Sequence, residues 1–217
     1  MKPNIAMKNH LSKGKFIVLE GGEGCGKSSQ IEILKSSLPK DQFIFTREPG
    51  GTKVADQIRN IIVTGDKDKI LPETELALIY AARNEHLHRV ILPALEAGKH
   101  VISDRFCLST FVYQGAARGL SHELIASFNN IFMQNFEPDL TLIFDLDTEI
   151  AKKRVGKRNN KDERFEQFDK NFHKRIRQGF LNYAKNDPKI KVVDASKTIK
   201  QLSAQIKQEL DSILNFE

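Results

Sequence analysis

Apolar residues in this chain fall into short unbroken runs that alternate with longer stretches of helical spacing. Phe16, Ile17, Val18 and Leu19 follow Lys15 without a polar interruption and end in a cluster of glycines. From Ser28 onward, Ile31 and Leu34 return at three- to four-residue intervals. A continuous apolar run suits a strand buried on both faces, whereas the wider spacing suits a helix with one face on a core. The alternation repeats along the chain. Phe43 to Phe45 reads as a strand, Val54 to Ile62 as a helix, and Glu73 to Leu95 as a long helix bent near Pro93, where a backbone donor is missing. His100 to Ser103 is a strand, His122 to Phe136 a helix, Leu140 to Phe144 a strand and Glu149 to Arg154 a helix. Ile190 to Val193 is a last strand before a helix from Ile199. The pattern predicts an α/β fold: a five-stranded parallel sheet with helices on both faces, binding ligands at the carboxyl ends of its strands.

At 217 residues and 40% hydrophobic content the chain can bury one core, so a single domain over residues 15–217 is expected. Residues 1–14 are polar and basic and read as a flexible tail, with Met7 an alternative start to Met1. Lys and Arg number 34 against 28 Asp and Glu, a net +6 that suits phosphates, nucleic acid or an anionic surface equally. The basic residues are interspersed with acidic ones, and aromatics are 8% with no Trp, which argues against a nucleic-acid partner. No stretch approaches the ~18 apolar residues of a membrane span and no leader is evident, so a cytoplasmic protein is expected. Cys25 and Cys107 make neither a disulfide framework nor a metal-ligand spacing. The six histidines, His86 and His88 among them, show no ligand pattern and read as solvated.

The glycine cluster changes the picture. Gly21, Gly22, Glu23, Gly24, Cys25, Gly26, Lys27 and Ser28 satisfy G-x-x-x-x-G-K-[ST] between a strand and a helix, which makes them, with Ser29, candidate ATP-binding residues. Glycines let backbone N–H groups wrap an anion, and the helix N-terminus adds its positive end. Lys27 would reach the β- and γ-phosphates as a catalytic cation, and the Ser28 hydroxyl would serve Mg²⁺. This cradle serves kinases, GTPases and mechanical ATPases alike; the lack of an N-K-x-D segment counts against a GTPase. Thr46 to Thr52 follows the second strand and Val101 to Phe106 closes the third, and with Arg59 and Arg83 they bring several guanidinium groups to one rim of the sheet. Such groups suit bidentate capture of a phosphate monoester.

On these residues the chain resembles the thymidylate kinase family from Lys15 to its C-terminus. The runs Glu20 to Ser28, Arg47 to Thr52, Tyr80 to Arg83, Asp104 to Phe106 and Tyr113 to Gly119 match the family's landmarks in the family's order. The resemblance implies the P-loop NTPase fold of nucleoside monophosphate kinases, and transfer of the γ-phosphoryl group of MgATP to dTMP for dTTP synthesis. It places Glu23 near the acceptor sugar, Arg59 and Arg105 on the acceptor phosphate, and Arg83 on the thymine edge. Glu48, Ser109, Thr110 and Gln114 belong to the same pocket, where Tyr113 excludes a ribose 2′-hydroxyl. Asp104 joins Ser28 toward Mg²⁺ or its waters, and a homodimer is implied. Ile79 departs from the pattern, since the family usually has there a phenylalanine whose ring stacks on thymine. An aliphatic residue keeps the apolar contact without the π-face, which leaves open another nucleoside monophosphate or deoxynucleoside as acceptor.

The densest charge run, Lys152 to Arg164, reads as a lid at about residues 155–166. Some family members carry a catalytic arginine in the P-loop, at the position held here by Gly24, and others supply it from the lid. The chain resembles the second type, with Arg158 and Arg164 as the catalytic candidates beside Lys27 and Arg105, and Arg154 third. The acceptor phosphate is already a nucleophile, so direct in-line displacement without a covalent intermediate is expected.

Overall fold

The computed structural model describes residues 14–134, 136–155 and 164–214. Its five strands are β1 (Phe16–Glu20), β2 (Phe43–Arg47), β3 (His100–Asp104), β4 (Leu140–Asp145) and β5 (Ile190–Asp194). They form one parallel sheet in the order β2-β3-β1-β4-β5. β1 is central, with Leu19 level with Asp104 of β3 on one side and Leu142 of β4 on the other. The chain leaves β1 between two strands reached by separate crossovers, and the crevice this opens is where a doubly wound sheet binds ligands.

Side chains alternate across a strand, so β1 feeds two cores at once. Ile17 and Leu19 pack with Ile31 and Leu34 of α1 (Lys27–Ser37) and with Leu202, Ile206 and Leu210 of α9 (Ile199–Asp211). Phe16 and Val18 point the other way, into Leu76 and Tyr80 of α3 (Pro72–His86), Leu92 and Leu95 of α4 (Leu92–Glu96), and Ile125 and Met133 of α6 (His122–Met133). Both faces of β1 are covered, which is why its sequence shows no polar alternation. Among the described residues no helix is long and apolar enough to cross a membrane.

Helix limits follow local chemistry. Thr52 caps α2 (Lys53–Val63) by accepting from Ala55 N, and Ser121 caps α6 in the same way through Leu124 N. Thr198 and Gln201 form a reciprocal capping box at α9. The bend expected near Pro93 is a π turn (Leu87–Ile91) just before it, where Leu92 N–H donates to Leu87 O and the helix resumes as α4. α6 stops at Met133, short of the expected Phe136, because Gln134 turns left-handed at φ 48°.

Two helical segments were not foreseen. α5 (Cys107–Thr110) runs into a second π turn (Phe111–Ala117), and α8 (Lys170–Ala184) packs against it. α8 carries a legible pattern, with Asp169 as N-cap and Phe172, Ile176 and Phe180 four residues apart, but its abundant charges mask it. Gly179 lets it lie close to the π turn, since a Cβ there would sit 3.2 Å from Val112 Cγ1 and 3.3 Å from Ala116 Cβ. α7 (Thr148–Val155) follows β4. The core of the expected lid, including Arg158, lies outside the described residues, as do residues 1–13 of the expected tail. Gly14, assigned to that tail, is instead packed, with its backbone N–H directed to Leu95 O.

Phe180 ties α8 to β4 and to the π turn. Phe180→Ala is expected to destabilise the protein by about 3–5 kcal/mol, measured as a lowered midpoint in urea with an unchanged m-value.

Candidate active site

The loop after β1 is shaped by backbone that only glycine adopts cheaply. Gly24 sits at φ +72°, and a Cβ there would lie 2.7 Å from Ala151 O and 2.9 Å from Val155 Cγ2 of α7. A side chain at this position, arginine included, has no room unless α7 moves. Gly26 is the left-handed residue before α1 and offers no side-chain cap, which leaves the first N–H groups of the helix directed outward. Lys27 is buried and lies back on the loop, its Nζ 3.0 Å from Gly21 O and 3.4 Å from Gly22 O. Ser28 and Ser29 follow it, exposed, on the first turn of α1. Cys25 is buried within the loop.

Arg105 is the hinge between this cradle and the next cleft. Its backbone is left-handed at φ 74°, a conformation of significant cost for a residue with a Cβ. The turn brings its guanidinium to Gly21 O at 2.8 Å, Ser109 Oγ at 3.2 Å and both Glu23 carboxylate oxygens at 3.0 and 3.2 Å. The Tyr113 ring lies under it at 5.0 Å, while the Tyr113 hydroxyl donates to Glu23 at 2.9 Å. Burial would raise the Glu23 carboxyl, but the Arg105 and Lys27 charges and the Tyr113 hydroxyl outweigh it and hold the pKa at about 2. Glu20 behaves oppositely. Fully buried at the end of β1, its carboxyl is pushed up by desolvation, only partly offset by Arg105 and by donors from Ser109 and Phe106. It accepts from Phe106 N at 2.9 Å, Ser109 N at 3.1 Å and Ser109 Oγ at 2.5 Å, and so fixes the chain on the far side of Arg105.

A second buried carboxylate organises the opposite wall. Glu48 accepts from Arg83 Nε at 2.6 Å, and it lies 2.9 Å from His86 Nδ1. The other ring nitrogen of His86 is 2.6 Å from Thr46 Oγ1. His86 is fully buried, which corrects its reading as a solvated residue: it faces inward where α3 crosses the carboxyl end of β2. Burial works against ionisation of Glu48, yet Arg83 and His86 hold its carboxyl below the usual range. Arg83 also donates through Nη2 to Phe106 O at 3.1 Å.

Between these groups lies a concave cleft open to solvent. All ten residues expected on the acceptor side line it: Glu23, Glu48, Arg59, Ile79, Arg83, Arg105, Ser109, Thr110, Tyr113 and Gln114. Arg59 Nη1 donates to Pro49 O at 3.0 Å, at the cleft's rim. Pro49, Ile62, Val63, Phe106 and Phe165, not assigned to the site from sequence, complete the wall; apolar residues at a site are indistinguishable from core without coordinates. Among the described residues, Arg83 Nη1 and Thr110 Oγ1 are buried without a hydrogen-bond partner. A second cleft opens on the other side of Glu23 between the loop and helices α7 and α8.

The structure does not bring Arg164 to the phosphate cradle. It is fully buried, its guanidinium paired with Glu75 and donating to Ile62 O and Lys67 O, each at 3.0 Å. Glu75 also accepts from Arg118 Nη1 and Gln114 Nε2, each at 2.6 Å. The reason is a match of charge: a carboxylate with no access to water draws the nearest arginines into its shell. Arg154 donates to Ala195 O at 3.2 Å. For a metal, Asp104 Oδ1 is buried without a hydrogen-bond partner among the described residues, and the Ser28 hydroxyl is exposed at the cradle. One carboxylate and one hydroxyl fit Mg²⁺, which takes few protein ligands when phosphate oxygens and water supply the rest. No cluster of three or more metal-ligating side chains occurs among the described residues.

A family model for thymidylate kinase matches residues 19–206 of the chain. The chain belongs to the thymidylate kinase family. It is 44% identical over 200 residues to the thymidylate kinase of Ruthia magnifica subsp. Calyptogena magnifica, covering 91% of this chain and 97% of that protein. The thymidylate kinase of Marinomonas sp. (strain MWYL1) is 43% identical over 201 residues, 91% and 94% of the two chains. The crystal structure of thymidylate kinase from Ehrlichia chaffeensis superposes with a TM-score of 0.73 at 28% identity, covering 91% of this chain and 98% of the other. The protein is therefore a kinase.

Removing the charge of Glu48 leaves the buried Arg83 guanidinium uncompensated. Glu48→Gln is expected to cost about 3 kcal/mol, read as a fall in Tm relative to the parent protein.

Proposed function

We propose that the chain transfers the γ-phosphoryl group of ATP to dTMP, releasing ADP and dTDP, by direct in-line displacement. The observation that carries this reading is the cleft beside the phosphate cradle that all ten acceptor-side residues line, two of which, Arg83 and Thr110, each have a buried polar atom, Nη1 and Oγ1, without a hydrogen-bond partner among the described residues. A base edge offers the acceptor that Arg83 Nη1 needs and a complement for the Thr110 hydroxyl, which would repay their desolvation.

In this reading Arg105 and Arg59 hold the acceptor phosphate, and Glu23, spanning both clefts, faces the sugar. Arg105 Nη2 already donates to both oxygens of the Glu23 carboxylate, and a guanidinium that binds one anionic oxygen pair suits a phosphate as well. Tyr113, pinned by Glu23, blocks a 2′-hydroxyl. An acceptor phosphate oxygen attacks the γ-phosphorus as the bond to the bridging oxygen of ADP breaks, and no enzyme group becomes covalently attached. Lys27 and the N–H groups of the loop and α1 take the charge that builds on the phosphates. Ser28 and Asp104 would hold Mg²⁺ or its waters, which supplies further neutralisation of the β- and γ-oxygens. A homodimer accompanies this reading, as the resemblance to the family implies.

Because Gly24 excludes a side chain, Arg158 of the lid is the proposed transition-state cation. Arg158→Ala should lower kcat by about a hundredfold or more while leaving ATP affinity nearly unchanged. Arg164→Ala should instead lose about 3–5 kcal/mol of stability. Equal turnover in Arg158→Ala and the parent, by single-turnover kinetics, would remove the lid assignment.

Ile79 favours one alternative, a nucleoside monophosphate kinase with a different base. A coupled ADP-release assay with MgATP across dTMP, dUMP, UMP and CMP separates the two. Preference for dTMP is expected; a higher kcat/KM for another monophosphate would overturn the substrate assignment.

A further inference from the structure

We propose that His86, buried where α3 ends, is a positioning residue for the acceptor: it fixes the Glu48 carboxylate and, through it, the Arg83 guanidinium. This role presupposes that the acceptor cleft is the base site of the proposed reaction. Arg83 and Glu48 line that cleft, whereas His86 is not among its lining residues.

Four polar side chains form one chain of contacts behind the wall. Thr46 Oγ1 lies 2.6 Å from His86 Nε2, His86 Nδ1 lies 2.9 Å from Glu48 Oε1, and Glu48 Oε2 accepts from Arg83 Nε at 2.6 Å. A carboxylate only accepts, so Nδ1 carries a hydrogen; in the neutral ring Nε2 then accepts from the Thr46 hydroxyl. Each Glu48 oxygen has its own task, Oε1 held by His86 and Oε2 holding Arg83. Arg83 has a second fixed point in Phe106 O, to which Nη2 donates at 3.1 Å. Two fixed points set the plane of a guanidinium, and that plane decides where the third nitrogen, Nη1, is aimed. Nη1 is the buried donor without a hydrogen-bond partner among the described residues.

The imidazole is itself held. It stands three residues beyond Arg83 on α3, so the two share a helix face. The loop after β2 closes on it at Gly51, which is left-handed at φ +89°. A Cβ there would lie 2.6 Å from His86 Nε2 and 2.8 Å from Thr46 Oγ1, so backbone can approach the ring this closely only at a glycine. Without His86, Glu48 keeps its charge attraction to Arg83 but loses the bond that fixes its orientation. The guanidinium then stays at the cleft with Nη1 misaimed, and the loss falls on recognition of the acceptor base rather than on turnover.

His86→Asn and His86→Gln separate this role from packing alone. Asn places an amide donor near the Nδ1 position and keeps the Glu48 bond; Gln reaches the Nε2 position and keeps only the Thr46 bond. Each variant is shown folded by thermal melting, and kcat, dTMP KM and ATP KM are measured, with 2-deoxyribose 5-phosphate as a base-free competitive inhibitor. His86→Gln should raise the dTMP KM about tenfold, and His86→Asn should restore it to within about threefold of the parent. In both, kcat, ATP KM and inhibition by the sugar phosphate should stay within about twofold of the parent. A parental dTMP KM in His86→Gln, or equal weakening in the two variants, would overturn the inference. Should neither variant fold, Thr46→Val removes only the hydroxyl at the far end of the chain and should raise the dTMP KM about two- to threefold; no rise would be equally fatal. Failure of the parent protein itself to bind dTMP would instead overturn the proposed function beneath it.

Discussion

Everything at the site hangs from the carboxyl end of β1. This strand is hydrogen-bonded on both edges and buried on both faces, so its last residues have almost no freedom to shift. Glu20 converts that rigidity into position by binding the backbone of Phe106 and Ser109. The phosphate loop on one side and Arg105 on the other are thereby referenced to the same fixed point. Precision of this kind matters in phosphoryl transfer, where little but alignment and charge separates a catalyst from a binding protein.

Buried acids are the recurring device. Glu20, Glu48 and Glu75 are each at most 3% exposed, and each meets an arginine, though Glu20 lies 4.0 Å from Arg105 and the others are in close contact. Such groups add little net stability, because desolvation consumes most of the attraction. What they give is direction: a guanidinium between a carboxylate and a backbone carbonyl has one orientation. The acids thereby orient Arg83 and Gln114, two side chains that line the cleft.

Most of the sheet was legible from sequence because β1, β3 and β4 are apolar on both faces and leave a plain signal. The phosphate loop was equally plain, since its glycines answer to backbone conformations that can be named from the sequence. α8 escaped because varied polar residues separate its few buried positions, Phe172, Ile176, Gly179 and Phe180. His86 and Arg164 were misplaced for a common reason. Each is a polar residue whose partner, Glu48 or Glu75, lies 38 or 89 positions away, a pairing that spacing cannot disclose. Phe165 went unseen because a ring beside a charged loop reads as packing until the cavity it borders is known.

The clearance at Gly24 has a consequence for how such enzymes diverge. In this chain, adding a cation to the phosphate loop at position 24 is not a single-residue change. Any side chain at position 24 would collide with the carbonyl of Ala151 before its charge could matter, so the helix leading into the lid would have to move as well. An arginine at that position is thus separated from the present sequence by a coordinated shift of backbone.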